Sequence, residues 1–534
     1  MSKKLFYLSC YVIVSLLFMQ SFLHAQTLND GKKLLWNESF VKAVETFKNI
    51  TAQTNAPEAW YYFGETYFQK GVLDSAKMAF QKGIDAKPEY GLNYIGLAKV
   101  YFNGKNIPEG ENNISQALKI ADDKDIKLIQ AVAEAYISGG KDISIKAKPF
   151  LDQTIALTKK AKKKDKMNFI LLGDMYNAEN DGSAAVENYK KAIDIDSSAQ
   201  AFVSIGKIFE IIKNYGEAEI SYNYAIKVDP TYSRAYKGLA ELKYALHPPQ
   251  YDSAIENWKK YIQYSEESPE NTKTLINYTY LSKDYKTASD LINNVLQRDP
   301  KNKYMLHMLA YSYTQMNDSK DGIPVFGKYF SIAKDSEIIL PDYEYYSKLL
   351  VDAKQDSLAV IQLRKAVKMD TSRADLHGNI AASCFKMKNF DCVIDEYNIK
   401  LKMTGSLTGQ EYLFLGEAYY FKNNLINADS AFASLIQAKP DLILGYIWRA
   451  RMNASIDSTS EKGLAKPFYE KVISMATDTV KYKKDLIDAY HYLGFYYYLQ
   501  KDECQAKGYY QKVLLIVPDD KASLEAVKKL KCKQ

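Results

Sequence analysis

The sequence predicts an all-α protein: an α-α superhelical solenoid of about fourteen helix–turn–helix repeats, finished by a C-terminal capping helix. Three observations carry this expectation. One block of residues returns at fixed spacing, as Gly64, Tyr67, Ala76, Phe80, Gly83 and Pro88 and again as Gly206, Phe209, Ala218, Tyr222, Ala225 and Pro230. Gly173-Tyr176-Ala185-Tyr189-Ala192 and Gly494-Tyr497-Ala506-Tyr510-Val513-Pro518 keep the same spacing. The blocks recur with a period of about 34 residues, the length of one helix–turn–helix unit, which cannot bury its apolar face alone and must stack on its neighbours. The composition agrees: 47% hydrophobic and 25% charged residues exclude global disorder. The 44 Tyr residues suit thin helical layers, because Tyr fills the gap between helices and keeps a hydroxyl for the wet edge.

In chain order, residues 1–25 come first and differ in kind from the rest. Lys3 and Lys4 precede an apolar stretch from Leu5 to Met19, and Leu23-His24-Ala25 then offers a small residue before Gln26. This pattern predicts a secretory signal peptide cut after Ala25, or kept as an N-terminal anchor, since Leu23 is bulkier than the usual small residue there. A lipoprotein cut at Cys10 is not expected, because it would leave the apolar segment Tyr11 to Leu23 on the mature chain. Nothing after it approaches the roughly 20 apolar residues of a membrane helix. Loss of residues 1–25 removes two Lys and no acid, so the net charge falls from +7 to +5. That weak basicity gives no support for nucleic acid as a partner.

Residues 26–518 carry the repeats. The first is Gly31-Leu34-Ala43-Phe47, the best preserved surrounds Gly64, and later ones include Ala310-Tyr313-Gly322-Phe326, Ala381-Cys384-Val393-Tyr397 and Gly416-Tyr419-Ala428-Phe432-Pro440. Small residues let the paired helices approach, aromatics fill the space beside them, and Pro past the second helix stops it. The repeat around Ile276 lacks the small residue of the first helix, and Ser347 is followed by Leu350 where an aromatic belongs. Three stretches lengthen the period: 138–145, His247-Pro248-Pro249-Gln250, and Asn453 to Gly463, and such insertions map to loops. Residues 519–534 hold an expected amphipathic cap with Leu524, Val527 and Leu530 facing inward.

The pattern resembles the tetratricopeptide repeat family, whose Trp/Leu/Gly/Tyr first helix and Ala/Phe/Ala/Pro second helix match the blocks above over essentially the whole mature chain. The resemblance implies that the first helix of each repeat lines a concave groove. Carried onto this chain, the groove includes Tyr61, Glu65 and Phe68, then Leu413, Glu417, Tyr420 and Phe421, then His491, Phe495 and Tyr498. The alternative is that many of these pack against neighbouring helices. Lys273 and Asn277 resemble two members of the family's carboxylate clamp, but Met308 stands where another Asn is needed, so C-terminal carboxylates are not the expected ligand.

Enzyme signals are missing. His247, His307, His377 and His491 fall in different repeats, without paired His spacing, a phosphate loop or a nucleophile elbow. No catalytic residue, cofactor or metal is expected. Cys384 and Cys392 lie symmetrically about a turn near Lys388, and Cys504 and Cys532 about one near Pro518, so antiparallel helices bring each pair together. In an exported chain they form disulfides, or else they are buried thiols that simply pack. Six Lys between Lys159 and Lys166 make either a solvated helix end or a patch for an anionic surface. The leading function is a non-enzymatic scaffold, exported to the periplasm or associated with the outer membrane, assembling other envelope proteins along its groove. The alternative is a glycan-binding or uptake accessory that stacks sugars on its aromatics.

Overall fold

A computed structural model describes residues 27–120 and 122–532. The expected leader and its cut after Ala25 lie outside the described residues. The described chain is built from consecutive helix pairs and divides into two compact units between Asp284 and Tyr285.

In the first unit the pairs are α1 (Leu28–Trp36) and α2 (Phe40–Thr54), α3 (Pro57–Gln69) and α4 (Leu73–Ala86), α5 (Leu92–Asn103) and α6 (Ile107–Ile120), and α7 (Ile126–Ser138) and α8 (Lys148–Lys160). They continue with α9 (Lys166–Ala178) and α10 (Gly182–Ile195), α11 (Ala199–Ile211) and α12 (Tyr215–Val228), α13 (Ser233–Ala245) and α14 (Tyr251–Tyr264), then α15 (Pro269–Leu281). The second unit starts with α16 (Tyr285–Arg298), followed by α17 (Lys303–Gln315) and α18 (Ser319–Ile332), α19 (Leu340–Asp352) and α20 (Asp356–Met369), and α21 (Ala374–Lys386) and α22 (Phe390–Thr404). It ends with α23 (Gly409–Phe421) and α24 (Leu425–Ala438), α25 (Ile443–Ile456) and α26 (Lys466–Met475), α27 (Lys483–Leu499) and α28 (Glu503–Ile516), and the cap α29 (Lys521–Lys529). The described residues make seven pairs and α15 in the first unit, and α16, six pairs and a cap in the second. The division into units falls in the repeat whose Ile276 replaces the usual small residue.

The recurring block has a direct packing explanation. The aromatic ring from a second helix sits between small residues on two successive first helices. Phe80 is fully buried, and a Cβ on Gly64 or Gly96 would stand 2.3 or 2.2 Å from its Cε1. Tyr222 occupies the same place between Gly206 and Gly238, where a Cβ would stand 2.7 or 2.4 Å from Cε1. Each such ring contributes about 1.5–3 kcal/mol by leaving water, and it welds one repeat to the next.

The tight turn inside a repeat uses a second device. A residue in the left-handed region precedes an Asn or Asp that caps the second helix: Lys213 (φ 61°) then Asn214, Lys388 (φ 59°) then Asn389, Asn423 (φ 57°) then Asn424, Lys501 (φ 61°) then Asp502. Each capping side chain accepts the backbone N–H three residues on, at Glu217, Cys392, Asn427 and Gln505 respectively. The pattern satisfies one orphan donor of each second helix and turns the chain back within three residues.

The lengthened stretches are ordered. Residues 141–147 form a helical turn, Lys141–Ser144, and a 3₁₀ turn, Ile145–Ala147, before α8. The insertion after Ala450 begins later than its polar composition suggests, because α25 runs on to Ile456. In the cap, Leu530 is buried but Leu524 is 40% exposed, and the fully buried Ser523 takes its inward place. Asp520 explains the shift: its side chain accepts from the Ser523 N–H and fixes the start of α29.

Candidate partner-binding face

The residues expected to line a groove meet three fates. On α3, Tyr61 and Glu65 are only 6% and 5% exposed, so neither presents a free surface; Phe68 is half-buried. The reason is an ion triad whose Lys99–Glu65 pair is buried while its third member, Glu134, keeps a side chain 50% exposed. Lys99 of α5, 1% exposed, donates to Glu65 at 3.1 Å and to Glu134 of α7 at 3.0 Å. Burial, helped by the nearby Glu134 carboxylate, raises the Glu65 carboxyl above its ordinary range, against the pull of Lys99. Burial works to lower the Lys99 ammonium, but Glu134 and Glu65 outweigh it and hold the group well above its ordinary value. Three first helices are thereby tied through their charged side chains. A buried ion needs a partner, and here the partner sits on the next repeat.

On α23, Leu413 and Glu417 are half-buried, and burial raises the Glu417 carboxyl. Tyr420 and Phe421 are 39% and 56% exposed. Both are held from behind by rings that the sequence reading missed. Phe421 stacks on Phe390 at 4.6 Å, Phe390 meets Phe385 at 6.1 Å, and Phe385 stacks on Phe414 at 4.2 Å. Tyr420 meets Trp448 edge-on at 5.3 Å, and Trp448 stacks on Phe432 at 5.1 Å. The result is an aromatic ribbon across α21 to α25. The available signal was position: Phe390 opens its second helix, the place held by Leu73, Ile107, Tyr215 and Leu425 in other repeats.

On α27, Phe495 and Tyr498 are 42% and 53% exposed. His491 is instead engaged by the cap, with Nε2 3.2 Å from Asp520 Oδ1 and 3.2 Å from Ser523 Oγ. Two other histidines also face carboxylates. His307 Nε2 lies 2.6 Å from Asp342 Oδ1, and His377 Nδ1 lies 2.6 Å from Glu396 Oε2.

The structure places both cysteine pairs within bonding distance. Cys384 and Cys392 close the turn between α21 and α22 with Cα atoms 6.0 Å apart, and Cys504 and Cys532 tie the end of the cap to α28 with Cα atoms 4.7 Å apart. The lysine run spans the α8 end and the α9 start, where Asp165 caps α9 and Lys166 pairs with Asp196 at 2.5 Å. Among the described residues no group of three or more His, Cys, Asp or Glu is arranged for a metal ion, and no helix is long and apolar enough to cross a membrane.

Known proteins share the pattern. A family model described as tetratricopeptide repeat matches residues 57–90 and 199–232, the blocks around Gly64 and Gly206. A TPR repeat-containing protein of Methanocaldococcus jannaschii is 22% identical over 411 residues, which cover 72% of this chain and 66% of that relative's length. Among solved structures, the C-terminal part of a TPR repeat-containing protein from Cytophaga hutchinsonii shares 30% identity, covering 47% of this chain and 98% of its own, with a TM-score of 0.38. Yeast Tom70 shares 13% identity over 95% of this chain and 99% of its own, with a TM-score of 0.26.

Proposed function

This chain belongs to the tetratricopeptide repeat family, whose arrays serve as protein-interaction scaffolds, and from that premise we propose a non-enzymatic scaffold of the bacterial cell envelope that seats an apolar segment of a partner protein. The observation that carries the reading is the ribbon in the second unit, where Tyr420 and Phe421 are 39% and 56% exposed yet held by Trp448 and Phe390. Exposed aromatics that are already ordered make strong anchors, because little side-chain freedom is lost on binding. Leu413 and Glu417 border the anchors on the same helix, while Phe68, Phe495 and Tyr498 are further places for contact.

The envelope setting rests on Lys3, Lys4 and the apolar run that follows, and on two sulfur pairs of a kind that persists in oxidising compartments. The partner is accordingly another envelope protein. The test is a pull-down from native envelopes with the wild-type chain and with Tyr420→Ala/Phe421→Ala. Loss of two anchors worth about 2 kcal/mol each weakens capture by more than about tenfold. Retention of every partner by the double variant would overturn the site.

A further inference from the structure

The first unit touches itself. The turn between α1 and α2 is buried against residues some two hundred positions later. The Glu38 carboxylate lies 3.3 Å from Arg234 Nε and 3.2 Å from Lys237 Nζ, and accepts from the Tyr261 hydroxyl at 2.8 Å. Ser233 Oγ donates to the Asn37 carbonyl at 2.7 Å, the Ser39 hydroxyl donates to the Ser265 carbonyl, and the Val41 N–H donates to Glu266 Oε2 at 2.7 Å. Ser39 and Ser233 are 2% and 0% exposed, so the turn is seated rather than merely near. In a stack whose repeats mostly bury their faces on adjacent repeats, this joins the first repeat to the seventh and to the loop before α15.

The closure has a definite inner side. Successive odd-numbered helices pack on one another, α3 on α5, α5 on α7, α7 on α9 and α11 on α13. The odd-numbered helices therefore lie on the tight side of the curve, and it is on this side that Glu65 and Lys99 are shut away from water.

We propose that the α1–α2 turn is an intramolecular clasp that keeps the inner face of the first unit closed, and that its release is what opens that face to a protein partner. The clasp is built to release. Its ionic part is still touched by solvent, with Glu38, Arg234 and Lys237 side chains 16%, 28% and 35% exposed, so salt or a competing charged segment can reach it. Only the word partner rests on the scaffold reading.

Hydrogen exchange on the full chain reads the clasp directly, so its failure leaves the ribbon pull-down untouched, and the reverse. Glu38→Lys sets a third cation against Arg234 and Lys237, and Glu38→Lys/Lys237→Glu restores opposite charges. The expected result is exchange about tenfold faster at 37–41, 233–239 and 61–67 in the single variant, most of it reversed in the double variant, with 505–516 unchanged. Faster exchange at 37–41 without any change at 61–67 overturns the proposal, as does failure of the double variant to restore protection. Should the single variant lose protection everywhere, the wild-type chain decides: raising salt from about 0.1 to about 1 M speeds exchange at 37–41 and 61–67 if the clasp is real, and unchanged exchange there overturns it.

Discussion

A single methyl group separates two kinds of glycine in this chain. Gly71 has φ +78° and open space where a Cβ would stand, so Gly71→Ala meets only the conformational cost of the left-handed region, about 1 kcal/mol. Gly64 has an ordinary helical backbone, but its Cβ would stand 2.3 Å from Phe80, and Gly64→Ala is expected to cost at least about 2–3 kcal/mol as the ring is forced aside. Denaturant melts of the two variants check the order; a Gly71 variant as damaged as the Gly64 variant would refute the packing account. Burial also sets a pH dependence. It raises the Asp174 carboxyl from 3.8 to about 6 although the Tyr189 hydroxyl donates to it at 2.6 Å. The folded state therefore holds a proton that the unfolded state has released between those values, so this residue's contribution to stability falls as pH rises from about 4 to 6 and is flat above. Asp174→Asn keeps an acceptor for Tyr189 and removes the ionisation. Its advantage over wild type is expected to grow from near zero at about pH 4 to about 3 kcal/mol above pH 6, read by melts across that range. A constant difference would mean that burial of Asp174 is not the cause.

Among the elements, the turns and the cap separate what spacing can show from what it cannot. The blocks place every turn to within a few residues, and the lengthened ones at 138–145 and 247–250 appear as breaks in the period. Spacing does not reveal that Lys213, Lys388 and Lys501 occupy the left-handed region usually given to Gly or Asn, because the condition is a backbone angle. In the cap, an apolar period alone assigns Leu524 inward, whereas the Ser523 N–H, by donating to the Asp520 side chain, fixes where the helix starts and so which side faces inward. The cysteine pairs give a testable consequence at this scale. In protein lacking residues 1–25, thiol counting under denaturing, non-reducing conditions is expected to find none free; four would refute both bridges. Reduction opens a 28-residue loop between Cys504 and Cys532, which weakens the attachment of α29 by about 2–4 kcal/mol. Amides 522–530 are then expected to exchange faster while those of α3 to α6 do not change.

For the whole molecule, stability of stacked repeats is a sum of near-neighbour terms. Gly64→Ala is thus expected to lower hydrogen-exchange protection in α3 to α6 and to leave α23 to α28 as they were; a uniform loss over both units would contradict the division at Asp284 and Tyr285. Sequence alone determined the repeat, its helix–turn–helix form, the approximate number of helices and the final cap, because each depends on residues a fixed distance apart and on which of them are small, aromatic or breaking. The family resemblance suggested Tyr420 and Phe421 for a groove but left open whether they pack against neighbouring helices, and the structure shows them 39% and 56% exposed. Tertiary structure alone decided that Tyr61 and Glu65 are buried, that Phe390 and Trp448 stand behind the exposed rings, and that Glu38 meets Arg234 and Lys237. The first two depend on contacts with the adjacent repeat, which a period read along one repeat does not show; the last depends on a small turn per repeat summed over many interfaces, and no single repeat encodes the sum.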